Sequence, residues 1–156
     1  MPPNRRIRDT DLANLDQQVG YMLRQAQLTV FADFIANQRG SALRPGQFSI
    51  LAIIGRNPGL SQTQVCEALG IKRANLVAAI DALESQGVVR REASMTDRRS
   101  NRLHLTQAGE RALQTALGAQ AEHEARITRL LGNAGKRTLL KQLAKLCELR
   151  QTRSSA

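Results

Sequence analysis

Three charged residues in a short polar stretch, Asp97, Arg98 and Arg99, have the types and the spacing that suit contact with DNA. A guanidinium at the tip of a hairpin can enter the minor groove, where the negative potential of the phosphates is focused. A carboxylate two residues earlier can hold that guanidinium in a fixed fork geometry. The sequence therefore predicts a minor-groove contact by Arg99, braced by Asp97. Arg98 contacts either a phosphate or only water.

A second polar set, made of Lys72, Arg73 and Asn75, falls in the first turn of a predicted helix and away from its apolar stripe. These side chains are placed to meet phosphates and base edges. Arg73 suits the O6 and N7 atoms of guanine, and Asn75 suits N6 and N7 of adenine, because their paired polar atoms match those edges bidentately. Which of the two reads a base stays open. The alternative to DNA contact is that Lys72 and Arg73 are ordinary surface charges.

Catalytic and metal-binding chemistry has no support in the sequence. We find no nucleophile and base pair, no phosphate-binding loop and no paired carboxylate motif. His104 and His123 are not at a spacing that collects several ligands, so no metal and no cofactor is predicted. Cys66 and Cys147 have no CxxC or CxxH neighbour. We expect both to be small core residues, with redox sensing as the alternative, and we expect no enzyme.

The composition indicates one folded domain with a polyanionic partner. The chain has 156 residues, of which 42% are apolar, and its 23 Lys and Arg residues against 13 Asp and Glu residues give a formal net charge of +10. Such a chain can form a core and still present positive charge to a polyanion. It contains no apolar run near the roughly 20 residues of a membrane span and no signal-peptide pattern. We expect a cytoplasmic protein without membrane contact.

The elements that must position these side chains form a winged helix-turn-helix. A Ser61 and Gln64 capping box predicts a helix over 62–69, Gly70 supplies a turn, and a second helix follows over about 72–86. Two strand-like segments, 88–93 and 102–105, then flank the polar loop as a hairpin, or wing. Apolar residues at helical spacing predict further helices over 11–38, from Pro45 to Ile54, from Thr106 to about Leu131, and after Gly132-Asn133.

The helices at the two ends carry more apolar surface than the short middle segment can cover. We therefore predict a single chain in which 11–42 and 106–153 are dimerisation helices and 43–105 is the DNA-binding lobe. A symmetric dimer places two recognition helices about one turn of DNA apart, which suits a pseudo-palindromic operator. The predicted fold class is mainly α with a small β wing, dimerised through its N- and C-terminal helices.

Several ordered segments together resemble one known family. They are Leu43-Arg44-Pro45-Gly46-Gln47-Phe48, Leu69-Gly70-Ile71, Leu83-Glu84-Ser85-Gln86-Gly87-Val88-Val89-Arg90, and Asp97-Arg98-Arg99-Ser100 followed by Leu103-His104-Leu105-Thr106-Gln107-Ala108-Gly109. The last segment matches a wing pattern of Asp-x-Arg followed by Leu-Thr-x-x-Gly. From about Leu15 to Arg150 the chain resembles the MarR family of winged helix-turn-helix repressors. The resemblance implies the same roles for Arg99 and Asp97 in the wing.

The resemblance also implies an effector that releases the repressor from its operator. Some members of the family respond to aromatic acids and others to acyl-coenzyme A thioesters. Their pocket resembles a cleft between the first, second and fifth helices. In this chain the cleft corresponds to Tyr21, Gln25, Phe34, Phe48, Leu51 and His123. The expected partners are double-stranded DNA, a second copy of the chain, and a small aromatic acid or its coenzyme A thioester.

Two alternatives to a ligand-released repressor stay open. The first is a constitutive or redox-controlled DNA-binding protein without a small-molecule effector, and the second is a protein-interaction module. A further open question concerns the basic C-terminal segment, whose local charge from residue 126 onward is +7, from eight Lys and Arg residues against Glu148. It is either a solvated helix face or an anion-binding surface.

Overall fold

The computed structural model describes residues 12–37, 43–93 and 101–150, which form a mainly helical protein with one small sheet. The prediction of a mainly α fold with a small β wing is confirmed. Its helices are α1 (Val19–Ala36), α2 (Pro45–Arg56), α3 (Gln62–Leu69), α4 (Arg73–Ser85) and α5 (Gln107–Cys147), and its strands are β1 (Leu60–Ser61), β2 (Val89–Ala93) and β3 (Asn101–Leu105). Short 3-10 helices cover Leu15–Gln17 and Glu148–Arg150. None of the helices in these ranges is long and apolar enough to cross a membrane.

The predicted helix over 11–38 is too long at its N-terminal end. Helix α1 begins only at Val19, because Ala13 and Asn14 have φ values of 48° and 63°, and Gln18 is extended. Asn adopts this left-handed conformation more readily than most residues, and it interrupts a right-handed helix. The apolar spacing before Val19 therefore continues on a 3-10 turn rather than on the helix.

The core lies inside the helix-turn-helix lobe, where α2, α3 and α4 pack against the sheet and the start of α5. Helix α2 begins at Pro45 in the first-turn position that proline tolerates. Helix α3 begins with the predicted capping box, since the backbone N–H of Ser61 donates to Gln64 Oε1 at 2.9 Å and the N–H of Gln64 donates to Ser61 Oγ at 3.3 Å. The largest core side chains that are less than 2% exposed are Leu51, Ile54, Val65, Leu76, Ile80, Leu83, Val89 and Leu103.

Strands β2 and β3 form the predicted antiparallel hairpin, in register from Val89 opposite Leu105 to Ala93 opposite Asn101. A third strand, β1, pairs with the other edge of β3 and was not predicted. Strand β1 has only two residues, too few to show an alternating pattern in the sequence.

The base of the wing is fixed by Thr106 and Gly109, which belong to the Leu-Thr-x-x-Gly pattern. The hydroxyl of Thr106 accepts the N–H of Gly109 at 3.0 Å as the cap of α5, and it donates to the carbonyl of Gly87 at 2.6 Å. The N–H of Thr106 donates to the carbonyl of Val88 at 3.1 Å. A Cβ on Gly109 would lie 1.9 Å from that carbonyl oxygen, so only glycine allows this close approach.

The terminal helices leave much of their apolar surface exposed. Helix α5 breaks at Gly132, which has φ 69° and ψ 162°, where the predicted boundary between two helices lies. Exposed apolar side chains on α1, and on α5 beyond its first two turns, include Val19, Met22, Leu28, Phe31, Ile35, Leu130, Leu139 and Leu140. Cys147, which we expected in the core, is exposed on the same C-terminal segment.

Candidate nucleic-acid interface and effector site

The predicted base-reading residues lie on the open side of α4. Lys72 is the residue before the helix, and Lys72, Arg73 and Asn75 are all exposed. The opposite face of α4 carries Leu76, Ile80 and Leu83, each 0% exposed. Burial of that stripe fixes the rotation of α4, so the first turn presents its polar side chains to solvent, as the sequence predicts.

Asp97, Arg98 and Arg99 lie outside the described residues. The strands on either side of them are described, and they end at Ala93 and begin again at Asn101. The hairpin places Ala93 opposite Asn101 at one end of β2 and β3. The roles of these three residues stay predictions.

Three of the six predicted effector residues come together where α1, α2 and α5 meet. The rings of Phe34 and Phe48 are 5.7 Å apart, and the rings of Phe34 and His123 are 5.8 Å apart in an edge-to-face arrangement. Phe34 is 4% exposed and His123 is 3% exposed. In this structure these rings pack on one another as part of the protein interior.

The other three predicted effector residues are less closely grouped. Leu51 is 0% exposed and belongs to the hydrophobic core of the lobe. Tyr21 and Gln25 are half-buried, one turn apart on α1. The role of the six residues in binding an effector stays a prediction.

A polar cluster beside these rings was missed from the sequence. Nδ1 of His123 lies 2.6 Å from Oδ2 of Asp33, and the Nε and Nη2 groups of Arg126 donate to the same oxygen at 3.1 and 2.9 Å. The side-chain amide of Asn37 donates to Oδ1 of Asp33 at 3.0 Å. The hydrogen bonds from Arg126 and then from His123 hold the pKa of Asp33 below its usual value. A lone carboxylate within the apolar stretch from Val30 to Ile35 was the available signal.

Two adjoining clefts lie between α2 and α5. The larger, of about 490 Å³, is lined by residues of α2, both wing strands and the start of α5, among them Ile54, Arg90, His104, Glu110 and Leu113. The smaller, of about 300 Å³, is lined by Ala52, Gly55, Arg56, Leu113, Gln114 and Leu117. The six predicted effector residues line neither of them.

The clefts and the aromatic cluster lie at opposite ends of the contact between α2 and α5. Phe48, Leu51, Ala52, Gly55 and Arg56 have the helical spacing of one face of α2. The Gly55 end of this face meets Leu113, whereas the Phe48 end lies with Phe34 and His123. Helices α2 and α5 therefore run antiparallel. The two clefts form a groove between them beside Gly55, and aromatic rings pack beside Phe48.

The described ranges hold no cluster suited to a metal ion, and both cysteines are free. There, no three His, Cys, Asp or Glu side chains come together to hold a metal ion. Cys66 is half-buried against the core.

Comparison with known proteins decides the family. The model of the MarR family matches residues 43–100, which span the helix-turn-helix and most of the wing. A protein of Thauera aromatica described as a regulator of the hcr operon is 30% identical over 148 residues, covering 93% of this chain and 88% of that protein. The chain belongs to the MarR family of transcriptional regulators. It is a regulator and not an enzyme.

Two solved structures of one MarR-family repressor, CouR, are similar to this chain over most of its length. CouR bound to a 23-mer DNA duplex is 41% identical, with a TM-score of 0.83 over 89% of this chain and 99% of that chain. CouR bound to p-coumaroyl-CoA is 38% identical, with a TM-score of 0.83 over 89% of this chain and 98% of that chain.

Proposed function

We propose that this MarR-family protein is a cytoplasmic repressor that binds a pseudo-palindromic operator as a homodimer and is released by an aromatic acyl-coenzyme A thioester. The similarity to CouR carries the proposal, because CouR is 38–41% identical and has been solved both on DNA and with p-coumaroyl-CoA. Within the expected effector class, this similarity favours the thioester over the free aromatic acid.

The exposed polar turn of α4 supports the DNA-binding part of the proposal. Lys72, Arg73 and Asn75 contact the major groove, while Arg99, Asp97 and Arg98 act at the minor groove and its phosphates. The net charge of +10 adds a sequence-independent attraction to the phosphate backbone. Two copies of α4 related by a two-fold axis read two half-sites of opposite orientation.

The groove between α2 and α5 supports the effector part of the proposal. Its open clefts of about 490 and 300 Å³ are of the size that small-molecule sites have. Their lining combines apolar side chains with Arg56, Arg90 and Gln114, which suits an aromatic acyl group joined to polar amides and phosphates. The predicted residues Phe34, Phe48 and His123 pack where α1 meets α2 and α5, beyond the end of this groove. Leu51 lies on α2, and Tyr21 and Gln25 lie on α1.

Release follows because the effector binds two conformations of the dimer with different affinities. An effector that binds more tightly to a dimer with the wrong separation of its two α4 helices lowers DNA affinity by that difference. The wing strands line the larger cleft through Arg90 and His104, so a ligand there contacts the DNA-binding lobe directly.

The effector class is tested by adding p-coumaroyl-CoA, p-coumaric acid or free coenzyme A to the protein bound to its operator duplex. The proposal predicts that only the thioester releases the DNA. Release by the free acid at the same concentration would show that the effector is the acid and not the thioester. Release by none of the three would favour constitutive or redox control.

The effector site is tested with a matched pair of variants on α5. Gln114 lines both clefts, and its neighbour Thr115 is exposed and lines neither. Gln114→Trp should raise the effector concentration needed for release by roughly tenfold or more, because the indole fills the groove. Thr115→Trp should leave it unchanged, and equal effects of the two substitutions would exclude the groove as the site.

A further inference from the structure

Arg91 on strand β2 joins the recognition helix to the wing. Its Nη2 group lies 2.5 Å from Oδ1 of Asp81, and its Nη1 group donates to Oε2 of Glu84. The backbone N–H of Arg91 also donates to Oε1 of Glu84 at 3.2 Å. One residue of the wing thus makes three hydrogen bonds to two side chains on α4.

The planar guanidinium suits this arrangement. Asp81 and Glu84 are three residues apart on α4, so their carboxylates lie on the same side of the helix. The fork of an arginine can bond both at once with fixed directions, whereas a lysine ammonium acts as a single point charge. The Arg91 side chain is only 19% exposed, which reduces the solvent screening of these ion pairs.

The neighbouring arginine provides a contrast. Arg90 points to the other face of β2, is 51% exposed, and pairs with Glu92 two residues along the same strand. The ion pair between Arg90 and Glu92 therefore does not connect the wing to α4. Both arginines belong to the wing, but only Arg91 spans two elements that read DNA.

We propose that Arg91 is a positioning residue that fixes the angle between α4 and the wing, and that it sets operator discrimination through this angle without contacting DNA. The inference rests on the proposed sequence-specific binding. Bases in the major groove and the adjacent minor groove can be contacted together only when the two elements keep one relative orientation. Non-specific binding needs only positive charge near the phosphates, so it does not depend on that orientation.

The test compares affinity for two DNA duplexes at several salt concentrations. One duplex is selected from a random pool by the wild-type protein, and the other is a scrambled sequence of the same length and composition. The variants are Arg91→Lys, which keeps the charge and loses the fork, and Asp81→Asn, which removes one partner at an exposed position. Arg111→Lys is the matched control, because Arg111 is exposed and lines neither cleft. Thermal unfolding confirms that each variant is folded.

Arg91→Lys should lower the ratio of selected to scrambled affinity by roughly tenfold, with the salt dependence unchanged. Asp81→Asn should lower the ratio by a smaller factor, and Arg111→Lys should preserve it. A phosphate contact by Arg91 would give a different result, because Arg91→Lys would then keep both affinities.

The inference is overturned if Arg91→Lys and Asp81→Asn both keep the wild-type ratio, or if Arg111→Lys lowers it equally. If Arg91→Lys does not fold, Asp81→Asn alone decides between these outcomes. Failure of the wild-type protein to select any sequence would instead contradict the proposed function.

Discussion

A single carboxylate, Asp33, ties α1 to α5 at the residue scale. It accepts hydrogen bonds from Asn37, the residue after α1, and from His123 and Arg126 on α5. Because its pKa is lowered in the folded protein, its charged form stabilises the fold. That contribution is complete above the ordinary pKa of 3.8 and is lost as the pH falls through the lower pKa of the folded state.

Asp33→Asn should therefore lower the free energy of unfolding at neutral pH, and the difference from wild type should shrink as the pH falls below about 4. Urea unfolding measured between pH 7 and pH 2.5 gives this difference directly. Asp16→Asn serves as the control, because Asp16 is exposed and has no ion pair among the described residues. A difference that stays constant over the whole pH range would show that the charge of Asp33 does not contribute.

Arg99 is the residue on which the wing assignment depends. Arg99→Ala should weaken operator binding by roughly 1–3 kcal/mol, because a groove contact is lost, and Asp97→Ala should weaken it by less, because only the brace is lost. Fluorescence anisotropy with a labelled operator duplex measures both, with Lys145→Ala, at an exposed position in the last turn of α5, as the control. Unchanged affinity for Arg99→Ala would show that the wing assignment is wrong.

Single residues were predicted well where a local pattern fixes them. The exposure of Arg73 and Asn75 follows from the buried stripe on α4, which three residues of the helix reveal. The cluster of Asp33, His123 and Arg126 could not be predicted in the same way, because His123 and Arg126 lie 90 and 93 residues after Asp33 in the chain. Only the packing of α1 on α5 brings them together.

At the scale of elements, the junction between the wing and α5 depends on one close approach. Gly109 allows the carbonyl of Val88 to pack against the first turn of α5, where Thr106 caps the helix. A methyl group added at Gly109 would clash with the backbone of Val88, which cannot move aside as a side chain can. These contacts explain the roles of the threonine and the glycine in the Leu-Thr-x-x-Gly pattern.

Gly109→Ala should lower the free energy of unfolding by about 1–3 kcal/mol or more and should displace the wing. Gly118→Ala on the same helix is the matched control, because nothing lies within 4 Å of its added Cβ. The control should be neutral or stabilising by up to about 1 kcal/mol, since alanine favours a helix over glycine. Thermal unfolding of both variants distinguishes the two positions, and equal stabilities would contradict the role of Gly109.

Most elements follow from short sequence signals. The capping box of α3, the proline of α2, the left-handed Gly70 and the break at Gly132 all act within a few residues, so the sequence shows them directly. The start of α1 was predicted wrongly, because the left-handed Asn14 ends a pattern that is still helical in its apolar spacing. Strand β1 exists only through its pairing with β3, which lies some 40 residues later.

At the scale of the whole molecule, the terminal helices carry apolar surface that a single chain does not cover. Val19, Leu28 and Ile35 on α1 are 54–58% exposed, and Leu130 and Leu140 on α5 are 84% and 57% exposed. Monomeric soluble proteins seldom leave large apolar patches open, so this surface favours a partner. The proposed partner is a second copy of the chain.

Deleting Lys136 to Ala156 should produce monomers or aggregates, because it removes the leucines at 139, 140, 143 and 146 from the proposed dimer interface. Size-exclusion chromatography with light scattering gives the mass of the full chain and of the truncated chain. A well-behaved dimer of the truncated chain would contradict the role of the terminal helix.

The most direct test of the central claim is binding of the whole protein to DNA from upstream of its own gene, measured over a range of salt concentrations with and without p-coumaroyl-CoA. The account predicts affinity well above that for scrambled DNA, steep weakening with salt, and release by the thioester. Equal affinity for both sequences, or binding unchanged by salt, would contradict a sequence-specific repressor. Specific binding that p-coumaroyl-CoA leaves unchanged would contradict the proposed release by this thioester.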